Sequence, residues 1–131
     1  MTNFEKVKSF LLDLEYTIMH ENPDEELFIV EKNDAGINNL IIDCEDDILV
    51  IEQLIMELTT HNADVYKDLL IMNREIVHGA FALDYDGKKL IFRDTLQLEN
   101  LDMNELSGTL NSLELLLSEH AETLIRISKL K

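Results

Sequence analysis

Twenty-seven carboxylates, four histidines and one cysteine are the groups through which this 131-residue chain could do chemistry. Asp84-Tyr85-Asp86-Gly87 has the opening of a calcium loop. An EF-hand loop needs glycine at its sixth place and a bidentate Glu at its twelfth, and counting from Asp84 those places hold Lys89 and Thr95. The Asp-Gly pair therefore reads as a hairpin turn. Asp43-Cys44-Glu45-Asp46-Asp47 would collect divalent cations only weakly, since nothing fixes a coordination geometry, and it reads as an acidic turn. His20, His61, His78 and His120 form no His-x-x-x-His pair. His120 falls on an apolar helix seam, where a hydrogen-bonded histidine at the core edge is the simpler account than a metal ligand. The lone Cys44 cannot form an internal disulfide, and its acidic neighbours disfavour a thiolate. No Gly-rich phosphate loop, Gly-x-Ser-x-Gly elbow or Cys-x-x-Cys pair is present. The chain reads as a non-enzyme, with no catalytic, metal-binding or cofactor-binding residue.

Charge narrows the partners. Twenty-seven acids oppose eleven bases, and between Glu21 and Glu57 twelve acids face a single base, Lys32. Such a surface repels phosphate backbones and anionic lipid heads, which argues against nucleic-acid and membrane partners. The simplest account of the acidity is a solubilising surface; recognition of a basic partner is the alternative. Apolar residues make up 46% of the chain, enough for a core. With one proline and four scattered glycines there is no linker, so residues 1–131 read as a single domain. No apolar run reaches the roughly 20 residues that span a bilayer, and Met1-Thr2-Asn3-Phe4-Glu5-Lys6 lacks the form of a secretory signal. A cytoplasmic location is the expectation.

The elements follow from periodicity. Thr2 and Glu5 have capping-box spacing, and Phe4, Val7, Leu11, Leu14 and Ile18 recur at helical intervals, predicting a first helix that Glu21-Asn22-Pro23-Asp24 ends. Leu27 to Val30 reads as a strand, Asn33 to Gly36 as a turn, and Ile37 to Asp43 as the returning strand. Ile48 to Leu58 fits a helix through Ile48, Ile51, Ile55 and Leu58, and a strand through Val50, Leu54, Met56 and Leu58. Its β-branched residues favour a third antiparallel strand. Asn62 and Asp64 can cap a second helix with the core stripe Val65, Leu69, Met72 and Ile76. His78 to Asp84 and Lys88 to Leu96 form a hairpin. From Asp102 a last helix carries Met103, Leu106, Leu110, Leu113, Leu117, His120, Leu124 and Ile127 at alternating three and four spacing, an a/d seam suited to burial against the sheet. The order α-β-β-β-α-β-β-α implies an α+β fold, an antiparallel sheet with flanking helices. Tyr66 and Leu70 form a second stripe on the second helix, and Leu115 and Leu116 lie off the seam of the last. These four are the expected dimer or partner contacts.

The run Gly79-Ala80-Phe81-Ala82-Leu83-Asp84, the turn Asp86-Gly87-Lys88-Lys89-Leu90 and the step Leu96-Gln97-Leu98-Glu99-Asn100-Leu101-Asp102 before a Leu-rich helix resemble one superfamily. It comprises the type III secretion chaperones of the CesT kind and the related YbjN-like proteins, and the resemblance is clearest from Leu69 to Leu124. It implies a homodimer of small acidic subunits, bacterial in origin, without nucleotide or other cofactor. In the chaperone branch, it implies a surface that binds or shields an extended segment of a partner polypeptide. The alternative is a YbjN-like regulatory or scaffolding protein with no secreted client. The usual Leu-Pro-Leu of the step is Leu96-Gln97-Leu98 here.

Overall fold

The computed structural model describes residues 1–130. Six strands form one antiparallel sheet: β1 (Thr17–Asn22), β2 (Leu27–Lys32), β3 (Ile37–Glu45), β4 (Ile48–Glu57), β5 (Ala80–Leu83) and β6 (Lys89–Gln97). Their spatial order is β1-β2-β3-β4-β6-β5. The helices are α1 (Asn3–Asp13), α2 (Ala63–Met72), α3 (Met103–Glu119) and α4 (Ala121–Ser128). The α+β class and the antiparallel sheet match the sequence-based expectation. Ile48–Glu57 is a strand, hydrogen-bonded to β3 on one side and β6 on the other. As a central strand with Leu49, Val50 and Ile51 all buried, it is apolar on both faces, which is why its periodicity was ambiguous.

The first helix is shorter than its spacing predicts, and the order gains a strand. Leu14 caps α1, Glu15 adopts φ 65°, and the chain enters β1 at Thr17. The N–H of Tyr16 donates to Leu11 O and that of Glu15 to Leu12 O, both at 3.0 Å. This is a Schellman stop, in which glycine usually takes the left-handed place. With glutamate there, Leu14 and Ile18 continue the helical spacing into a strand. At the other end Thr2 Oγ1 accepts the Glu5 N–H at 3.1 Å, as expected of the cap.

The last helix is also broken. Asp102 and Glu105 form a full capping box at its start, but His120 leaves helical geometry at φ −106°, ψ 14° and divides α3 from α4. The break lets α4 reach α2, where Arg126 Nη2 lies 3.7 Å from Asp68 Oδ2. Thr59 Oγ1 donates to Leu130 O at 2.7 Å, fastening the chain beyond α4 to the end of β4. The seam residues Leu106, Leu110, Leu113, Leu124 and Ile127 are buried within the chain.

Apart from Val50, the buried apolar side chains of the sheet point one way. Phe28 pairs with Ile42, and Ile42 with Ile51, and the Phe4 ring of α1 stacks on Phe28 with centroids 4.3 Å apart. Thr109 of α3, fully buried, donates to Asp94 Oδ2 of β6 at 2.6 Å. Helices α1 and α3 therefore lie on the same side, leaving the opposite face of the sheet without a helix. Before β5, Gly79 sits at φ 77° where a Cβ would lie 2.5 Å from Phe92 Cζ. An alanine there meets both the left-handed backbone penalty and an immovable aromatic ring. Gly79→Ala is expected to cost about 2–4 kcal/mol, read as a lower midpoint in urea with an unchanged slope.

Candidate contact surfaces

Two grooves and one open face carry several of the exposed apolar residues. The first groove lies between α2 and the edge strand β5, enclosing about 260 Å³ lined by Tyr66, Leu69, Leu70, Phe81, Leu83 and Leu90. Asn62 builds this side by capping α2: its Oδ1 accepts from Asp64 N at 2.9 Å and Val65 N at 3.3 Å. That sets Val65 and Leu69 into the core and turns Leu70 out, 69% exposed. The Tyr66 hydroxyl is held 2.8 Å from His61 Nδ1. Asn73, just past α2, blocks part of the β5 edge. Its Nδ2 donates to Phe81 O at 3.2 Å and its Oδ1 accepts Phe81 N–H at 2.7 Å, so an amide side chain takes the place of a neighbouring strand.

The second groove runs beside β1, the other edge of the sheet, against α1. It is lined by Leu12, Tyr16, Ile18 and Met19 among others, and both Leu12 and Met19 are exposed. The β1–β2 register shifts between Ile18 and His20, leaving Met19 unpaired. No side chain among the described residues caps this edge as Asn73 caps β5.

The four expected contact residues therefore separate. Tyr66 and Leu70 share the α2–β5 groove, whereas Leu115 and Leu116 lie together on α3 beside Val77 and His120. Leu115 is 50% exposed, but Leu116 is only 2% exposed and belongs to the core. Sequence reasoning did not single out Leu12 or Met19. Leu12 lies outside the stripe of α1, which was the available signal, and Met19 was hidden by reading its strand as helix.

The acidic stretch is not arranged as a metal centre: no group of three or more His, Cys, Asp or Glu that could hold an ion occurs among the described residues. The Asp-Gly turn is a hairpin, with Asp84 Oδ1 accepting from Lys88 N at 2.8 Å and Lys89 N at 3.0 Å. Those backbone donors hold the Asp84 carboxyl below the usual range. Burial, with Glu26 and Asp43 nearby, pushes the Cys44 thiol up to about 11, so it is an inert core group. Burial, with Glu114 and Asp34 nearby, also raises Tyr16.

Asp43 is pushed up to about 6 by partial burial and by Glu45, Glu25 and Glu52 around it. Its folded value thus lies above its unfolded one, so the protonated form favours folding. That contribution is complete below about pH 4 and disappears as the pH rises through about 6. Asp43→Asn is expected to raise the unfolding midpoint at pH 7.5, by no more than about 1 kcal/mol after solvent screening. The difference should vanish at pH 4, as thermal melts at the two pH values would show.

Solved structures share this architecture. The Yersinia pestis type III secretion chaperone SycH, in complex with a stable fragment of YscM2, aligns over 97% of this chain and 100% of its own, with 17% identity and a TM-score of 0.60. YbjN from E. coli aligns over 92% of each chain with 13% identity and a TM-score of 0.63. A chain of the ExsC–ExsE complex aligns over 95% of this chain and 92% of its own, with 14% identity and a TM-score of 0.62. At these identities the likeness is one of fold. No curated protein matches the sequence. Residues 1–130 match the CesT_Tir_1 family, and the chain belongs to it.

Proposed function

We propose that this protein is a non-catalytic binding module that holds or shields a segment of a partner polypeptide and acts as a homodimer in the cytoplasm. The observation that carries the reading is the pairing of an uncapped sheet edge, β1, with an exposed apolar groove beside it. An extended chain binds such an edge by adding a strand, while pockets for alternate side chains select its sequence. Membership of the CesT_Tir_1 family supports this, as do similar folds solved with bound polypeptides. No helix among the described residues is long and apolar enough to cross a membrane. The protein would work through contact, with no metal, nucleotide or other cofactor and with no nucleic-acid or membrane partner.

The α2–β5 groove is the better dimer surface. Its edge strand is already blocked by Asn73, so association there would proceed through Tyr66, Leu70 and Leu83 rather than by strand addition. A dimer of standard size buries roughly 1,200–2,000 Å² in total. Leu115 can extend a contact surface on α3, but Leu116 cannot without opening the core.

A second reading rests on the likeness to YbjN and on Gln97 in place of the usual proline: a regulatory or scaffolding protein with no secreted client. Neighbouring secretion or effector genes would favour the first reading, and their absence the second.

Light scattering at tens of micromolar is expected to give twice the 15.2 kDa subunit mass. Leu70→Glu should return it to the subunit mass with a stability change within about 0.5 kcal/mol, because the side chain is already exposed. A wild-type monomer refutes the dimer. Gentle purification from the native cell, followed by mass spectrometry and reconstitution with the recovered polypeptide, should yield a complex that Met19→Glu weakens at least about tenfold, or 1.4 kcal/mol. Recovery of no polypeptide partner would sink the binding role.

A further inference from the structure

The face of the sheet turned away from the helices carries an apolar ridge without a cover. Ile29 pairs with Ile41 across β2 and β3, and Leu54 with Ile91 across β4 and β6. Between Ile41 and Leu54 stands Glu52, which faces Ile41 on β3 and Arg93 on β6, and Val50, the next residue of that face along β4, is buried. Leu54 is 49% exposed and Ile41 37%. This face is distinct from both grooves, since none of these side chains lines either of them and Leu54 of β4 is separated from β1 by β2 and β3.

Negative charge gathers at the β2–β3 end of the ridge, whereas Lys89 and Arg93 of β6 flank Ile91 at the other end. Strand alternation puts Asp43 and Glu45 on the same face as Ile41, and Glu25 stands in the β1–β2 turn within electrostatic reach of Asp43. The only base in β2, β3 and β4 is Lys32, and its ammonium lies on the helical side, 5.3 Å from the Tyr16 ring centroid. Arg93 of β6 is engaged by Glu52, Nε to Oε1 at 3.0 Å. No ion pair among the described residues reaches Asp43, Glu45 or Glu25. Burial is the main cause of the upward push on the Asp43 carboxyl, and Glu45, Glu25 and Glu52 around it add to that push, a contribution that a cation would relieve.

These features select an occupant. A second copy is disfavoured, because two such faces would set acid against acid on subunits of formal charge −16 each. The backbone groups of the inner strands are already paired within the sheet. An extended segment laid over the ridge would therefore leave its own N–H and C=O groups facing apolar side chains, whereas a helix satisfies its own. We infer that the open sheet face docks a basic amphipathic helix of the partner polypeptide, with its apolar stripe over Ile29, Ile41 and Leu54 and its Lys or Arg residues against Asp43, Glu45 and Glu25. The assignment rests on the partner-binding reading above and adds the charge and conformation of the segment bound.

The probe is a labelled leucine–lysine peptide of about five helical turns with one apolar stripe, compared with its glutamate-for-lysine version and an all-lysine peptide. Fluorescence anisotropy with the full chain should show the leucine–lysine helix binding, more weakly at higher salt. Ile41→Ser with Leu54→Ser, and separately Asp43→Asn with Glu45→Gln, should each weaken it at least about tenfold, while Met19→Glu leaves it unchanged. Equal binding of either control peptide overturns the inference, as does full affinity in either double variant. A change in the free protein's mass on Ile41→Ser with Leu54→Ser would give this face to a second copy and also overturn it. Should that pair unfold, the Asp43 and Glu45 pair decides alone. A native partner that binds undiminished to both double variants would leave the proposed function standing and remove only this assignment.

Discussion

The structure depends on the two-fold alternation of side chains across a sheet that has helices on only one side. Phe28, Ile42 and Ile51 stand in one row across three strands, and the helices are placed by that row. Phe4 stacks on its first member, and Thr109 bonds to Asp94, the residue paired with its last. A slip of one residue in any strand would bring Ile41 or Glu52 to the helices and turn the row to solvent. Register, helix placement and the open face are consequences of this one alternation.

Around that sheet, side chains do work that backbone pairing leaves undone. The segment before β5 is held to α3 by Ser112, whose hydroxyl donates to His78 O at 2.7 Å and accepts His78 N–H at 3.2 Å. Gly108, one turn earlier, leaves room for the His78 ring. Asn73 then occupies the outer edge of β5. One edge of the sheet is thereby blunted and the other left open, so strand addition has one edge available to it rather than two. Acidity also limits association, since chains of high like charge repel one another.

Much of the fold was legible before any coordinates. The caps at Thr2, Asn62 and Asp102 are local, each depending on residues within one turn, and all three form. The Asp84–Gly87 turn was likewise readable. The strand Thr17–Asn22 was not, because Glu15 takes a left-handed conformation without the glycine that would announce it. The break at His120 was hidden for a similar reason: the seam continues through it unbroken, and the signal for division is the docking of α4 on α2 rather than any residue at the joint. Among the expected contact residues, Tyr66, Leu70 and Leu115 stand at the surface or its margin as their helical positions imply. Leu116 could not be told from them by spacing, since the width of the buried stripe on α3 depends on how deeply the sheet embraces it.

The residues by themselves determined the class, the caps, the acidity and the lack of a recognisable catalytic or phosphate-binding motif, because each of these is carried by local chemistry or by composition. Only the tertiary structure decided which edge is blocked, which of the leucines are core, and that apolar and acidic side chains meet on an open sheet face. Those outcomes join residues far apart in the chain, Asn73 with Phe81 or Asp43 with Glu25, and periodicity along one element carries no information about what stands across from it.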